Sequence, residues 1–167
     1  VVANHPHGLS DGIMFGELLT RVREDVRILV NEQLSLCGEL DPWLIKVDVY
    51  EDENARRKNL SGMRKMISWL RQGGVLGIFP AGTVSSFSLA HKRVTDDPWN
   101  ANIAAIIRMT KATVVPVYFP GRNSLLFQGI SLINRKARVA FLPREVGRDG
   151  RRTHRIVVGK PIPFSQL

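Results

Sequence analysis

The sequence has a single cysteine, Cys37, and no long run of apolar residues. One cysteine cannot form an internal disulfide, excludes zinc sites built from several cysteines, and fits a reducing compartment. The apolar runs are only a few residues long, far below the roughly 18 that a membrane-spanning helix needs. No signal peptide is visible. These absences exclude a disulfide-stabilised scaffold and predict no membrane-spanning segment.

Acidic residues are few beside basic ones: 15 Asp and Glu stand against 24 Lys and Arg, a formal net charge of +9. The excess predicts an anionic partner, which can be nucleic acid, a membrane surface or a phosphorylated substrate. Aromatic residues make up only 7% of the chain, and no stripe alternates them with basic residues as base-stacking proteins do. The composition therefore disfavours nucleic acid.

The 167 residues suit one domain, which we take as residues 1–167. A chain of this length buries enough surface to fold without disulfides or metals, and 44% hydrophobic residues exclude disorder. Because the chain begins with Val1 rather than methionine, we expect a native flanking segment before the N-terminus. A second flanking segment after the C-terminus is the weaker expectation.

Short apolar runs alternate with segments of helical periodicity. Strands are predicted at Val1–Asn4, Asp25–Asn31, Leu44–Tyr50, Val75–Phe79, Thr113–Phe119, Ala137–Leu142 and Arg155–Pro161. Helices are predicted at Asp11–Arg23, around Leu60–Leu70 and at Asn100–Lys111, with Ser85–Pro98 as a long polar loop. Glu32–Leu40 fits a short helix or a loop, and Leu125–Ile133 fits a helix or a strand. The alternation predicts an α/β fold: a single layered domain with a mixed, partly parallel central sheet flanked by helices.

In such sheets the active residues lie in loops after the carboxyl ends of strands. The first such loop, Asn4–Gly12, carries His5, His7 and Asp11. A histidine can take a proton from a hydroxyl, and a carboxylate on its other nitrogen would orient the ring and stabilise the imidazolium. Two other interpretations stay open. Asp11 or Ser10 can simply cap the following helix, and His5-x-His7 can begin the metal site of a hydrolase.

Two further loops follow predicted strands. Pro80–Ser86 offers a glycine, hydroxyls and free backbone N–H groups, which can cradle phosphate or carboxylate oxygens. It is not a P-loop, since the lysine and the spacing of that motif are absent. Pro120–Ser124 offers Arg122 for a phosphate and Asn123 to orient a backbone or substrate oxygen. Alternatively, Arg122 is a solvated surface residue and Asn123 caps the segment that follows.

Together these loops resemble the phospholipid/glycerol acyltransferase family, which includes the lysophosphatidic acid acyltransferases. That family carries an early His-x4-Asp block, a Phe-Pro-Glu-Gly-Thr block and a later apolar-Pro-apolar strand. Here they correspond to His5…Asp11, to Phe79-Pro80-Ala81-Gly82-Thr83 and to Val115-Pro116-Val117. The bacterial hemolysin-like or ornithine-lipid acyltransferase branch is the most similar. It also resembles Asn4-His5-Pro6, Asp97-Pro98-Trp99, Gly121-Arg122-Asn123-Ser124 and Gly159-Lys160-Pro161-Ile162, so the match spans nearly the whole chain.

The resemblance implies transfer of a fatty acyl group from acyl-CoA or acyl carrier protein to a hydroxyl of a lysophospholipid or lyso-ornithine lipid. His5 would be the base and Asp11 its partner, with His7 as second choice for the base. No cofactor or metal is expected. Substrate binding is expected at Pro80, Ala81, Gly82, Thr83, Lys92, Arg93, Gly121, Arg122 and Asn123. The implied location is peripheral, on the cytoplasmic face of a bacterial inner membrane.

The sequence departs from the family pattern in two places. His5 to Asp11 is one residue longer than the common spacing, and His7 to Asp11 is one shorter. Ala81 and Val84 stand where the second block usually has a glutamate and an arginine. Those two side chains cannot bind phosphate, so Arg122, Lys92 or Arg93 would have to replace them. Two rivals remain, a metal-dependent hydrolase using His5 and His7 and a non-catalytic domain that binds anionic lipid.

Overall fold

The computed structural model describes residues 1–31, 38–47, 53–135, 137–149 and 153–167, with the backbone alone at residues 53–59 and 149. The structures predicted for residues 32–37, which include Cys37, and for residues 48–52 fall outside the described residues. The strands are β1 (Val2–Ala3), β2 (Val26–Asn31), β3 (Leu44–Val47), β4 (Val75–Gly77), β5 (Ser86–Ser88), β6 (Arg93–Thr95), β7 (Pro116–Tyr118) and β8 (Val157–Val158). The α-helices are α1 (Leu9–Thr20), α2 (Glu53–Arg71), α3 (Ala101–Thr110), α4 (Leu125–Ile133) and α5 (Leu142–Asp149).

The central strands lie in the order β3-β2-β4 and β1-β7-β8, and a parallel bridge between Val2 and Ile78 joins the two sets. All neighbouring pairs among them are parallel except β7 with β8, which is antiparallel. The mixed, partly parallel sheet flanked by helices confirms the predicted fold class. Because the parallel strands share a direction, the loops after β1, β4 and β7 emerge at one edge.

Successive residues of β2 enter different cores, as the alternation of a strand requires. Ile28 packs with Phe15 and Leu19 of α1 on one face of the sheet. Leu29 packs on the other face, in the cluster that contains Met66 of α2 and Ile106 of α3. The sheet is therefore covered on both sides, which explains why its strands read as nearly continuous apolar runs.

Two predicted elements were wrong in type, and a third is shorter than predicted. The polar loop predicted at Ser85–Pro98 contains the antiparallel hairpin β5–β6, whose strands have only three residues each and so give little periodicity. The predicted strand Ala137–Leu142 is a 3-10 helix, Ala137–Phe141, that leads into α5. The side chain of Asn134 accepts a hydrogen bond from the Ala137 backbone N–H at 3.1 Å, which starts this turn. The predicted strand Arg155–Pro161 shrinks to Val157–Val158.

The ambiguous segment Leu125–Ile133 is a helix. Ser124 caps it, because its hydroxyl accepts a hydrogen bond from the Phe127 backbone N–H at 3.2 Å. The first helix begins at Leu9 and ends at Thr20, so it starts and stops slightly earlier than Asp11–Arg23.

Candidate active site

The first loop brings His5 and Asp11 into contact at the carboxyl edge of the sheet. Nδ1 of His5 lies 3.2 Å from Oδ2 of Asp11, and the Asp11 side chain is fully buried. The two atoms are in contact, but the pair does not meet the geometry of a hydrogen bond. The extra residue between them relative to the common spacing therefore does not separate the two side chains.

Asp11 also organises the loop that carries the histidines. Its Oδ2 accepts hydrogen bonds from the backbone N–H groups of His7, at 2.7 Å, and Gly8, at 3.0 Å. Gly8 has a φ of +69°, and a Cβ there would lie 2.6 Å from a methyl carbon of Leu142, so only glycine fits this turn. Asp11 thus both caps the start of α1 and contacts His5, and the two interpretations of the sequence are compatible.

The ring of His5 has one nitrogen toward Asp11 and one left over. The ring stacks on Phe79, with centroids 4.0 Å apart and an interplanar angle of 24°. Its Nε2 has no hydrogen-bond partner among the described residues, and the ring borders an apolar cavity. A neutral imidazole held in this way can accept a proton at Nε2.

The backbone of His5 is held by the second loop and by Asp96. The carbonyl of His5 accepts a hydrogen bond from the Ser85 N–H at 2.8 Å. Asp96 Oδ1 accepts hydrogen bonds from the N–H of His5, at 3.2 Å, and from the hydroxyl of Ser85. Sequence reasoning assigned no role to Asp96. Its only signal was its position directly before the Asp97-Pro98-Trp99 segment.

An apolar groove of about 530 Å³ starts at His5 and runs along α1 and β2. One wall is the side of α1 that carries Gly8, Gly12 and Gly16, which recur every fourth residue and so lie above one another. The opposite wall includes Ile28 and other apolar residues of β2. The volume lies within the roughly 300–1,000 Å³ of small-molecule sites. The histidine of the His5–Asp11 pair therefore borders a cavity suited to an apolar ligand.

A second cavity of about 570 Å³, here called the basic pocket, lies on the His7 side of the same loop. Its charged and titratable lining consists of His7, Arg122, Arg148, His154 and Arg155. Asn123 also lines it, 1% exposed, with neither polar side-chain atom hydrogen-bonded.

The two histidines of the first loop face different surroundings. Nε2 of His7 lies 3.0 Å from the carbonyl oxygen of Pro120, and its ring meets that of His154 edge to face. The side chain of His7 therefore belongs to the basic pocket, whereas the side chain of His5 contacts Asp11 and borders the groove.

The structure does not bring all the predicted binding residues into one site. Gly82 borders the groove with His5, and Gly121, Arg122 and Asn123 line the basic pocket. Pro80 and Ala81 lie in the turn before Gly82, Thr83 donates a hydrogen bond to Asp97 at 2.6 Å, and Lys92 and Arg93 lie on the β5–β6 hairpin. The N–H of Gly82 donates to the Phe79 carbonyl at 2.9 Å, so it is already used. The N–H of Thr83 has no partner among the described residues.

In the part of the chain that the structure describes, no group of three or more His, Cys, Asp and Glu side chains could hold a metal ion. The metal-hydrolase interpretation therefore gains no support from the described side chains. Among the same residues, no helix combines the length and apolar content needed to cross a bilayer.

The structure is that of an α/β protein with a histidine–carboxylate pair beside an apolar groove. The chain belongs to an acyltransferase family, whose pattern it matches over residues 1–167. This confirms the family expected from the three loops.

Two curated relatives are similar to the chain. Both are lyso-glycine lipid O-acyltransferases, one from Bacteroides thetaiotaomicron and one from Phocaeicola vulgatus. Each is 28% identical over 98% of this chain. The chain spans 60% of the length of the first and 58% of the second.

Proposed function

We propose that this protein transfers a fatty acyl group from a thioester carrier, acyl-CoA or acyl carrier protein, to a hydroxyl of a lyso-lipid. The contact of His5 with Asp11 beside the apolar groove carries the proposal. Membership of the acyltransferase family supports the reaction type. The relatives' names support a lyso-lipid acceptor of the amino-acid type.

The groove supplies the binding energy for an acyl chain. Each methylene taken out of water contributes about 0.8 kcal/mol, and the groove is lined mainly by apolar side chains and by the glycines of α1. A chain bound there places its thioester at the His5 end. Proximity of the thioester to the base is then set by the groove.

The reaction needs one base. His5 Nε2 takes the proton of the acceptor hydroxyl, and the oxygen attacks the thioester carbonyl. Asp11 stabilises the imidazolium that forms. The tetrahedral intermediate collapses with cleavage of the carbon–sulfur bond, and the imidazolium returns its proton to the thiolate. The products are an ester and a free thiol carrier. The N–H of Thr83 is a candidate donor to the developing oxyanion.

Acceptor binding is assigned to the residues around the two cavities. Gly82 borders the groove beside His5, and Pro80, Ala81 and Thr83 hold the turn around it. Gly121, Arg122 and Asn123 offer positive charge and an amide to the head group. Lys92 and Arg93 would contact the anionic surface or the donor. The protein would work peripherally at the cytoplasmic face of the inner membrane, where lyso-lipid and donor meet.

The test is the variant His5→Ala, assayed by mass spectrometry of the products. Acceptors are a lyso-glycine lipid, a lyso-ornithine lipid and lysophosphatidic acid, each with acyl-CoA and acyl carrier protein. Loss of a general base should lower the rate by roughly 10²–10⁴-fold. The matched control is His91→Ala, an exposed histidine outside both cavities, which should keep full activity. Folded His5→Ala with normal acyl transfer, or a wild-type protein inactive on every pair, contradicts the proposal.

A further inference from the structure

Helix α4 exposes most of its aliphatic side chains and buries its polar ones. Its aliphatic side chains Leu125, Leu126, Leu132 and Ile133 are 77%, 47%, 51% and 89% exposed. Its polar side chains Gln128 and Ser131 are both buried at 5% exposure, beside Phe127. At 100° per residue the four aliphatic positions fall within one arc of about 120°, on the side opposite Ser131. A surface helix of a globular protein has the reverse pattern.

The orientation of α4 is held by a hydrogen bond on its buried side. Gln128 Oε1 accepts a hydrogen bond from the Phe87 N–H at 2.8 Å, which ties the helix to the β5–β6 hairpin. The buried hydroxyl of Ser131 is satisfied within the helix, because it donates to the Phe127 carbonyl at 2.7 Å. Rolling the helix to bury its leucines would break the Gln128 bond and expose Phe127. The four aliphatic side chains therefore form an outward surface, which we call the α4 face.

Positive charge adjoins the α4 face. Leu125 belongs both to this face and to the basic pocket, and Arg122 of the same pocket lies in the loop just before it. Arg122 and Arg155 have no ion-pair partner among the described residues, and no acidic residue lines the pocket. Apolar side chains bordered by cations are what the boundary of an anionic bilayer binds, since acyl chains accept the former and head groups the latter.

We propose that the α4 face is the surface by which this protein docks on an anionic lipid bilayer. The four aliphatic side chains enter the acyl boundary, and the cations of the basic pocket face the anionic head groups of the same bilayer. Asn123, buried and without a hydrogen-bond partner, provides the pocket with an amide for a lipid head group. This inference deepens the proposal of a peripheral enzyme. It rests on that proposal in one respect: the proposed lipid substrate is the reason for the protein to bind a bilayer.

A second copy of this chain fits the α4 face less well. Two-fold pairing through the helix would bring a second basic pocket toward the first, and like charges repel. A bilayer supplies the opposite charge instead. The two occupants also differ in concentration dependence and in response to lipid, which makes them separable by experiment.

The experiment is co-flotation of the protein with vesicles, of phosphatidylcholine alone and of phosphatidylcholine mixed with phosphatidylglycerol. The double variant Leu132→Glu/Ile133→Glu should lower the partition coefficient about tenfold or more, because charged side chains cannot enter the acyl boundary. Arg122→Gln should lower binding to the mixed vesicles about fivefold and leave phosphatidylcholine binding unchanged. The control is Val22→Glu, which places one negative charge at an aliphatic residue 78% exposed after α1 and should leave vesicle binding unchanged.

Binding that needs phosphatidylglycerol and the α4 face supports the proposal. Equal binding by the wild type and the double variant overturns it, as does the absence of any vesicle binding by folded wild type. A wild-type dimer in sedimentation that the double variant dissolves, without vesicle binding, assigns the face to a second copy and also overturns it. Because flotation does not measure acyl transfer, failure here leaves the proposed reaction standing, and an inactive protein that binds vesicles leaves this inference standing.

Discussion

The side chain of Asn4 makes both hydrogen bonds that a backbone neighbour would make with Phe119. Its Nδ2 donates to the Phe119 carbonyl at 2.9 Å, and its Oδ1 accepts from the Phe119 N–H at 2.7 Å. The contact extends the pairing of β1 with β7 by one residue beyond Ala3. It fixes the start of the loop that carries His5 to the start of the loop that carries Arg122.

Replacing Asn4 tests this junction. Asn4→Ala removes both bonds and should lower the free energy of unfolding by about 2 kcal/mol, at roughly 1 kcal/mol for each bond. Asn4→Asp keeps the acceptor and loses the donor, so its loss should be smaller if the Phe119 carbonyl finds water. Urea unfolding measures both. Equal stability of Asn4→Ala and the wild type would show that the junction is not structural.

Asp11 should show a separation of stability from activity. In Asp11→Asn the side-chain oxygen can still accept hydrogen bonds from the N–H groups of His7 and Gly8, so the melting temperature should stay near that of the wild type. The negative charge beside His5 is lost, and turnover should fall by roughly 10²–10⁴-fold. Asp11→Ala should lose both. Wild-type turnover in folded Asp11→Asn would remove the carboxylate from the mechanism.

Glu145 should be the main support of the third loop. It is fully buried and accepts hydrogen bonds from the N–H of Ser124, at 2.8 Å, and from its hydroxyl, at 2.6 Å. Glu145→Ala leaves these donors unsatisfied and should cost about 3 kcal/mol of unfolding free energy. Glu24→Ala, at an exposed acid, is the control and should change stability by no more than about 0.5 kcal/mol. Similar urea midpoints for the two variants would contradict this role.

Gly12 should set the width of the apolar groove. A Cβ at Gly12 meets nothing within 4 Å, so Gly12→Leu can fold while its side chain fills the groove. We expect kcat/KM to fall about tenfold or more with long-chain donors and much less with short-chain ones. Gly147→Leu on α5 is the control, since its Cβ is also unobstructed and it lines neither cavity. Equal losses for both chain lengths would place the acyl chain elsewhere.

The sequence was sufficient for the α/β class and for the three loops. Buried parallel strands read as apolar runs, and polar residues after β1, β4 and β7 follow from the shared direction of those strands. The contact of His5 with Asp11 was predictable for a different reason, since the two residues lie close together in the sequence, on either side of the tight turn that begins α1.

The elements that were wrong are short ones whose form is decided by side chains outside them. Ala137–Leu142 shows an alternation that fits a strand, but Asn134 starts a 3-10 turn there. The hairpin at Ser86–Thr95 is held partly by Gln128, 41 residues away from Phe87. Short segments carry too little periodicity to outweigh such contacts.

The sequence by itself determined the layered class, the family resemblance and the pairing of a histidine with Asp11, because these depend on local spacing and on the burial of apolar strands. Only the tertiary structure decided that His5 faces the groove while His7 faces the basic pocket. Only the tertiary structure decided that the aliphatic side chains of the α4 face point outward. Both outcomes depend on which side chains the opposite elements offer, Phe79 and Pro120 to the two histidines and Phe87 to Gln128, and no periodicity within a segment encodes those partners.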